Sequence, residues 1–112
     1  MRGSGWADVM YKLAFFVPRE YKEAVKDAIF ATGAGRIGNY DSCCWETLGT
    51  GQFRALDGAN PFIGKRDELE RVEEYRVELV CEDHLIQAAI TALRNAHPYE
   101  EPAFDVWPLS TF

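Results

Sequence analysis

The sequence predicts a single α+β domain with the ferredoxin-like βαββαβ fold, a four-stranded antiparallel sheet with two helices on one face. Two stretches repeat their apolar residues at the spacing of an amphipathic helix, and four others have the alternation or composition of strands. Their order along the chain is strand, helix, strand, strand, helix, strand. A length of 112 residues fits one domain of this kind.

The first strand is predicted over residues 11–17, where the side chains alternate between two faces. One face carries Tyr11, Leu13, Phe15 and Val17. The other carries Ala14 and Phe16, so it is apolar as well. A sheet that is apolar on both faces needs cover on both. The helices cover one face, and we expect another part of this chain or another copy of it to cover the other.

The first helix opens at Pro18 and ends at the glycine pair Gly33 and Gly35, which are typical C-terminal caps. Its predicted buried stripe is Tyr21, Ala24, Val25, Ala28 and Ile29. A second strand is predicted over residues 36–48, where alternation is weaker. The glycines and prolines of residues 49–64 then predict a long loop or a broken hairpin arm, and long ordered loops are often functional.

The second half of the chain repeats the pattern. Residues 72–81 alternate cleanly and predict the third strand. Asp83 is the predicted N-cap of the second helix, which His97 and Pro98 end. The predicted buried stripe of that helix is Leu85, Ala88, Ala89, Ala92, Leu93 and Ala96. Residues 103–109 form a short last strand, and Pro108 predicts that it lies at a sheet edge.

The charge balance excludes one class of partner. Twelve Lys and Arg oppose 18 Asp and Glu, which gives a net charge of −6. Because phosphate neutralisation needs clustered cations, we predict no nucleic-acid partner. The longest apolar stretch, residues 13–18, is far shorter than the roughly 20 residues that span a bilayer, so we predict no membrane partner either.

Three cysteines without a secretion signal predict reduced thiols and a cytoplasmic location. Residues 1–9 differ from the rest in composition. We expect them to be a leader or a disordered N-terminus, and we assign the domain to residues 10–112.

Two motifs have both a structural and a functional interpretation. Residues 33–38 match G-x-G-x-x-G, but a dinucleotide site needs that pattern before a helix, and here the helix comes first. We therefore predict a glycine-rich turn. Cys43 and Cys44 offer soft metal ligands, yet neighbours on a strand point to opposite faces, which favours a packing role. Neighbouring strands could still bring one of them near Cys81 or His97.

Residues 97–102, His-Pro-Tyr-Glu-Glu-Pro, form the sharpest local signal. Two prolines stiffen a loop that carries an imidazole, a phenol and two adjacent carboxylates. One interpretation is a ligand or metal site built on His97 with Glu100 or Glu101, since imidazole and carboxylate suit zinc, copper and similar ions. The other is a helix stop in which His97 caps carbonyl groups and the carboxylates face water.

Taken together, the motifs resemble the domain inserted in YqfO proteins, of the YbgI/YqfO dinuclear-metal family related to the NGG-one-interacting factor three proteins. The resemblance covers about residues 10–109. The motifs that carry it are residues 10–18, 33–40 and 49–53, Cys43, residues 58–64, Glu73 and residues 97–106.

That inserted domain is similar to the PII signalling proteins and to the divalent-cation-tolerance protein CutA, both ferredoxin-like trimers. CutA proteins carry a similar His-Pro-Tyr-Glu loop. The resemblance therefore implies a homotrimer, which would cover Ala14 and Phe16. The family's metal-ligand residues lie in its flanking domains, so the resemblance implies no dimetal hydrolase activity here.

The predicted function is a non-catalytic, oligomeric PII/CutA-like regulatory module that binds a small ligand or a divalent metal ion between subunits. We predict ligand contacts from Gly51, Asn60, Tyr99 and Glu100. His97, Glu101 and Cys43 are the candidate metal ligands. Two alternatives stay open: a structural domain that only oligomerises or docks onto a partner protein, and a small hydrolase with His97 as base.

Overall fold

The computed structural model describes residues 9–112 and confirms the predicted fold. Its strands pair antiparallel in the order β2-β3-β1-β4, which places β4 at an edge as Pro108 predicts. A short 3₁₀ turn, Asp83–Leu85, precedes the second helix. The elements are β1 Met10–Pro18, α1 Arg19–Phe30, β2 Trp45–Arg54, β3 Leu69–Glu82, α2 Ile86–Ala96 and β4 Phe104–Leu109.

The core lies between one face of the sheet and both helices. Strands β1 and β3 supply every second residue to it, as the period of two in their sequences requires. The helices supply residues three or four apart. Burial of these side chains is the main stabilising term, at roughly 25 cal/mol per Å² of apolar surface. The fully buried members are Leu13, Phe15, Val17, Val25, Ile29, Val77, Leu79, Cys81, Ala89 and Leu93.

The predicted stripes of the helices are partly wrong at their margins. In α1, Val25 and Ile29 are buried, whereas Ala24 is exposed. In α2, Ile86 is buried and Ala88 is exposed. None of the helices in residues 9–112 is long and apolar enough to cross a membrane.

The glycine-rich segment after α1 is a turn, as predicted. Gly33 has φ +98° and Gly35 has φ +81°, which is left-handed backbone that favours glycine. A Cβ on Gly35 would lie 2.7 Å from the ring of Phe30. The amide of Gly35 donates a hydrogen bond to the carbonyl of Val80 at 2.8 Å, so the sheet already uses it.

The second strand lies later than predicted, over Trp45–Arg54 instead of residues 36–48. Residues 37–40 form a tight turn, closed by mutual hydrogen bonds between Ile37 and Tyr40. The prediction failed because Gly49 and Gly51 look like strand breakers, while pairing with β3 holds both in the strand. Glu46 anchors β2 to α1 by accepting hydrogen bonds from Lys22 and Lys26.

Strands β2 and β3 continue past the end of β1 and form a two-stranded arm. The last residue of β1, Pro18, pairs with Glu74, whereas the β2–β3 ladder runs on to Arg54 and Leu69. The predicted hairpin arm therefore exists, but much of it is regular sheet. Residues 55–68 connect its strands, and the amide of Asp67 bonds the carbonyl of Ala55 at 2.6 Å to close this loop.

On the helix-free face of the sheet, the first of the two expected kinds of cover, another part of this chain, accounts for Ala14. That residue is 0% exposed within the single chain, so it needs no outside cover. Phe16 is half-buried, and the guanidinium of Arg76 lies 5.7 Å from the centre of its ring. The exposed apolar side chains on this face are Trp45 and Trp107. Of the predicted leader, all but Val9 lies outside the described residues.

Candidate functional site

A cavity of about 440 Å³ opens between the β2–β3 arm, the loop of residues 55–68 and the loop of residues 97–103. Its volume falls within the range of small-molecule sites. Three segments distant in sequence meet there, because the arm extends past β1 and the 97–103 loop joins α2 to β4 at the same end of the sheet. We call this space the arm cavity.

Aromatic rings form much of the wall of the arm cavity. Tyr99 lies at the centre, with its ring centroid 6.2 Å from that of Phe53 and 6.3 Å from that of Phe62. Phe62 also packs edge-on against Tyr21 of α1, at 5.6 Å. Phe16 completes the wall from β1. Rings at these separations attract one another and hold the loops together.

Glu74 brings a carboxylate to this largely apolar wall. It is half-buried and has no hydrogen bond or ion pair with any residue of the described range 9–112. Burial raises the pKa of its carboxyl group. Gly51 makes the position possible, because a Cβ there would lie 2.1 Å from a carboxylate oxygen of Glu74.

The hydroxyl of Tyr99 is a second unpaired polar group. Its oxygen is buried, and no described residue lies within hydrogen-bonding distance of it. Burial raises the pKa of Tyr99, and the negative charges of Glu74 and Glu20 raise it further. Unpaired buried polar groups cost stability and are uncommon in folded proteins. They concentrate here beside the cavity.

One hydrogen bond ties the two loops together across the mouth of the arm cavity. The amide of Asn60 donates to Oε1 of Glu100 at 3.1 Å. Glu100 therefore faces the cavity and also fixes the position of the 55–68 loop. Glu101 lines the cavity too and is exposed.

His97 holds the 97–103 loop against β1. The amide of Tyr99 donates to Nδ1 of His97 at 3.1 Å, so the other ring nitrogen carries the proton and donates to the carbonyl of Phe16 at 2.6 Å. The side chain is buried, with 6% of the residue exposed. Burial lowers the pKa of His97, which the hydrogen bond to Phe16 partly opposes. The imidazole is therefore neutral and engaged at both nitrogens.

Cys43 does not lie with His97. Its amide bonds the carbonyl of Gly35, whose own amide bonds Val80. Val80 pairs with Lys12, four residues along β1 from Phe16, which is about 13 Å at the rise of a strand. Within residues 9–112, no three His, Cys, Asp or Glu side chains are placed to hold a metal ion together. The metal assignment to His97, Glu101 and Cys43 stays a prediction.

The structure brings together the four predicted ligand contacts. Gly51, Tyr99 and Glu100 line the arm cavity, and Asn60 borders it through its bond to Glu100. Sequence reasoning missed Glu74, Phe53 and Phe62 as wall residues. Glu74 was missed because it lies within an acidic, regularly alternating stretch, residues 67–83, a pattern typical of a solvated strand face. A signal was present in the unusual strand glycine, Gly51, opposite that stretch.

The comparisons with known proteins identify the domain. No protein-family model matches the chain. Over 98 residues it is 52% identical to the GTP cyclohydrolase 1 type 2 homolog of Mycobacterium tuberculosis, an alignment that covers 88% of this chain and 26% of that protein. A Bacillus cereus protein related to NIF3 superposes with a TM-score of 0.82 at 42% identity, over 95% of this chain and 27% of the other.

The divalent ion tolerance protein CutA1 from Ehrlichia chaffeensis superposes with a TM-score of 0.68 at 15% identity, over 96% of this chain and 87% of the other. The fold is thus that of a CutA-like, ferredoxin-like α+β domain. By sequence the chain is homologous to one segment of YqfO/NIF3-family proteins, the resemblance that the motifs predicted. It spans about a quarter of the length of the curated relatives it matches, 26–28%.

We predict that His97→Ala lowers the free energy of unfolding by about 2–4 kcal/mol, because two buried backbone groups lose their partner and a small void opens. Chemical denaturation measures this. His84→Ala is the matched control, since the side chain of His84 is 68% exposed, and it should change stability by less than about 0.5 kcal/mol.

The same pair of variants tests the sign of the pH dependence. The folded state binds a proton at His97 less readily than the unfolded chain, whose histidine keeps its ordinary pKa of 6.5. The contribution of His97 to stability is therefore fully present above that pH and is lost as the pH falls from it through the lowered pKa of the folded state. An equal pH dependence in wild type and His97→Ala would contradict the assignment.

We predict that Glu74→Gln stabilises the protein at neutral pH. Burial raises the folded pKa of Glu74 above its ordinary value of 4.5, so the cost of the charged form appears as the pH rises from that value through the raised one. Thermal unfolding of both proteins between about pH 4 and 8 should show the gap in Tm widening with pH.

Glu73→Gln is the control for this prediction, because Glu73 is exposed and pairs with Arg19 at 2.6 Å. It removes the same charge from the neighbouring position without touching the arm cavity. If both variants shift Tm equally at every pH, the effect is one of net charge and the burial of Glu74 costs nothing.

Proposed function

We propose that this domain is a ligand-binding regulatory module without catalytic chemistry of its own, and that the arm cavity is its binding site. The observation that carries the proposal is that predicted ligand-contacting residues from distant parts of the sequence meet at one place in the fold. Gly51, Tyr99 and Glu100, which were predicted to contact a ligand, line one cavity of about 440 Å³, and the fourth such residue, Asn60, borders it through its bond to Glu100. Unpaired polar groups and apolar walls meet there, as they do in small-molecule sites.

The environment of the candidate catalytic groups argues against hydrolysis at this site. A general base needs a free nitrogen within reach of substrate. Both ring nitrogens of His97 are bonded to backbone groups. Tyr99 has a raised pKa, which disfavours the phenolate that a nucleophile would need.

The names of the relatives bring a cyclohydrolase acting on GTP into consideration. The arm cavity is a poor match for that substrate. Glu74, Glu100 and Glu101 line it, against a single cation, Arg54. Three carboxylates repel a triphosphate, which proteins bind with clustered cations or with free amides at a helix start. We therefore assign no cyclohydrolase chemistry to this cavity.

A divalent metal ion is part of the proposal only at the cavity mouth. Glu100 and Glu101 supply oxygen ligands of the kind that hard cations prefer. His97 would join them only by giving up its bond to Phe16 or to the Tyr99 amide. Cys43 is not part of this proposal, which depends on the carboxylates.

A cavity-filling variant tests the binding site. Gly51→Val places a side chain where the Glu74 carboxylate now lies, whereas Gly49→Val, two residues earlier on the same strand, meets nothing within 4 Å. Both are strand positions that accept a β-branched residue. We expect 2-phenylethanol to shift the amide NMR signals of cavity residues in wild type and Gly49→Val, and to shift none of them in Gly51→Val.

Shifts that persist in Gly51→Val, or that map to the other end of the sheet, would contradict the binding site. Circular dichroism and the overall dispersion of the NMR spectrum check that both variants fold. The same measurement on wild type purified without chelator and titrated with MgCl2 tests the metal at the cavity mouth, through the signals of Glu100 and Glu101.

We further propose that the domain is a homo-oligomer, with a trimer as the expected form. The observation that favours assembly is the helix-free face of the sheet. Trp45 is 62% exposed and Trp107 is 37% exposed, although tryptophan is usually well covered. The same feature suits the second candidate function, a domain that docks onto a partner protein through this face.

Native mass spectrometry of the full chain tests the assembly. We expect a trimer for wild type and a monomer for Trp45→Asp, because a carboxylate that replaces the indole at a subunit contact would lose its water without gaining a partner. Tyr40→Asp is the control, since Tyr40 is 75% exposed in the loop after α1. A monomeric wild type would leave docking onto another protein as the use of this face.

A further inference from the structure

We infer that the ligand of the arm cavity is a small organic cation, an ammonium group on an aromatic or aliphatic body, with Glu74 as its counter-ion. This inference rests on the proposed binding function and adds the chemical class of the ligand. Two independent features of the cavity carry it: the sign of its charge and the nature of its walls.

The charge argument begins with Glu74. Its carboxylate is half-buried and lacks any cationic or hydrogen-bonding partner among residues 9–112. A buried carboxylate without a partner is costly, and a positive charge beside it removes that cost. Glu100 and Glu101 add negative charge at the mouth, and Arg54 is the one basic residue of the lining. The lining thus carries three carboxylates against one guanidinium, a balance that favours a cation.

The aromatic walls of the arm cavity favour an organic cation over a metal ion. Phe16, Phe53, Phe62 and Tyr99 present ring surfaces to the same space. The faces of aromatic rings attract cations, and their apolar area stabilises a hydrocarbon body. A bare metal ion would use the carboxylates and leave these rings without a role. An organic ammonium ion uses both.

The neighbouring residue, Glu73, shows that only Glu74 places an unpaired carboxylate at the arm cavity. Glu73 has the same side chain, but it points to the opposite face and forms an ion pair with Arg19. Gly51 clears the space that the Glu74 carboxylate occupies, and no such gap is needed at Glu73. The structure thus accommodates one carboxylate at the cavity and pairs the other at the surface.

Three probes of similar shape and different charge test the inference by NMR titration of the full-length chain at about pH 7, where the amine is protonated. They are 2-phenylethylamine, 2-phenylethanol and 3-phenylpropanoate. We expect the amine to bind at least about tenfold more tightly than the alcohol, and the propanoate to bind more weakly than either.

The counter-ion role is tested in Glu74→Gln. We expect this variant to bind the amine about tenfold more weakly and the alcohol unchanged, which removes the preference for the cation. Glu73→Gln removes the same formal charge and should keep the preference. Because Glu74→Gln is expected to be the more stable protein, loss of amine binding in it cannot come from unfolding.

The outcomes separate this inference from the proposed function. If the alcohol binds the cavity and the amine binds no better, the cation class is wrong while the binding site stands. A preference for the amine that survives Glu74→Gln overturns the role of Glu74. If none of the three probes shifts the signals of cavity residues, both the inference and the binding site are wrong.

Discussion

The candidate site depends on one buried imidazole. His97 donates to the carbonyl of Phe16 and accepts from the amide of Tyr99, so a single side chain joins the end of α2, the 97–103 loop and β1. It does so because the two nitrogens of a neutral histidine are one donor and one acceptor. Once that loop is held, Tyr99 meets Phe53 and Phe62, and Glu100 reaches the amide of Asn60.

The polar groups at the arm cavity lower the stability of the fold, and burial of the apolar core compensates for that loss. The hydroxyl of Tyr99 is buried without a hydrogen-bond partner among the described residues, and the half-buried Glu74 has no ion pair with any of them. The adjoining core is apolar and closely packed, with Phe15, Val17 and Val77 fully buried. Local cost beside a well-packed core is common at functional sites, because a binding site must hold groups that only a ligand satisfies.

The sheet has two features that could serve for binding: a cavity at one end and exposed tryptophans on the helix-free face. At the end where β1 finishes, the β2–β3 arm and two loops enclose a cavity. On the helix-free face, tryptophans remain exposed while Ala14 is already covered. An α+β sheet covered by helices on one face leaves the other available for contacts.

The sequence by itself determined the fold class and identified the polar residues of the 97–103 loop as candidates for a site. Alternation in β1 and β3 and the helical stripe through Val25 and Ile29 specify which faces are buried, because these periods follow directly from strand and helix geometry. The segment from His97 to Glu101 was identifiable as a candidate site because it places an imidazole, a phenol and two carboxylates in one short loop that two prolines stiffen. Even so, the pattern left open whether His97 binds a ligand or supports the backbone.

Tertiary structure alone decided the rest. Whether Gly49 and Gly51 break a strand depends on the partner strand, since β3 supplies the hydrogen bonds that override their weak local preference. The role of Glu74 depends on a gap left by Gly51, and these residues are 23 positions apart in the chain. A cavity is a property of how separate segments meet in space. Local patterns name the residues that can line it, and only packing shows which of them do.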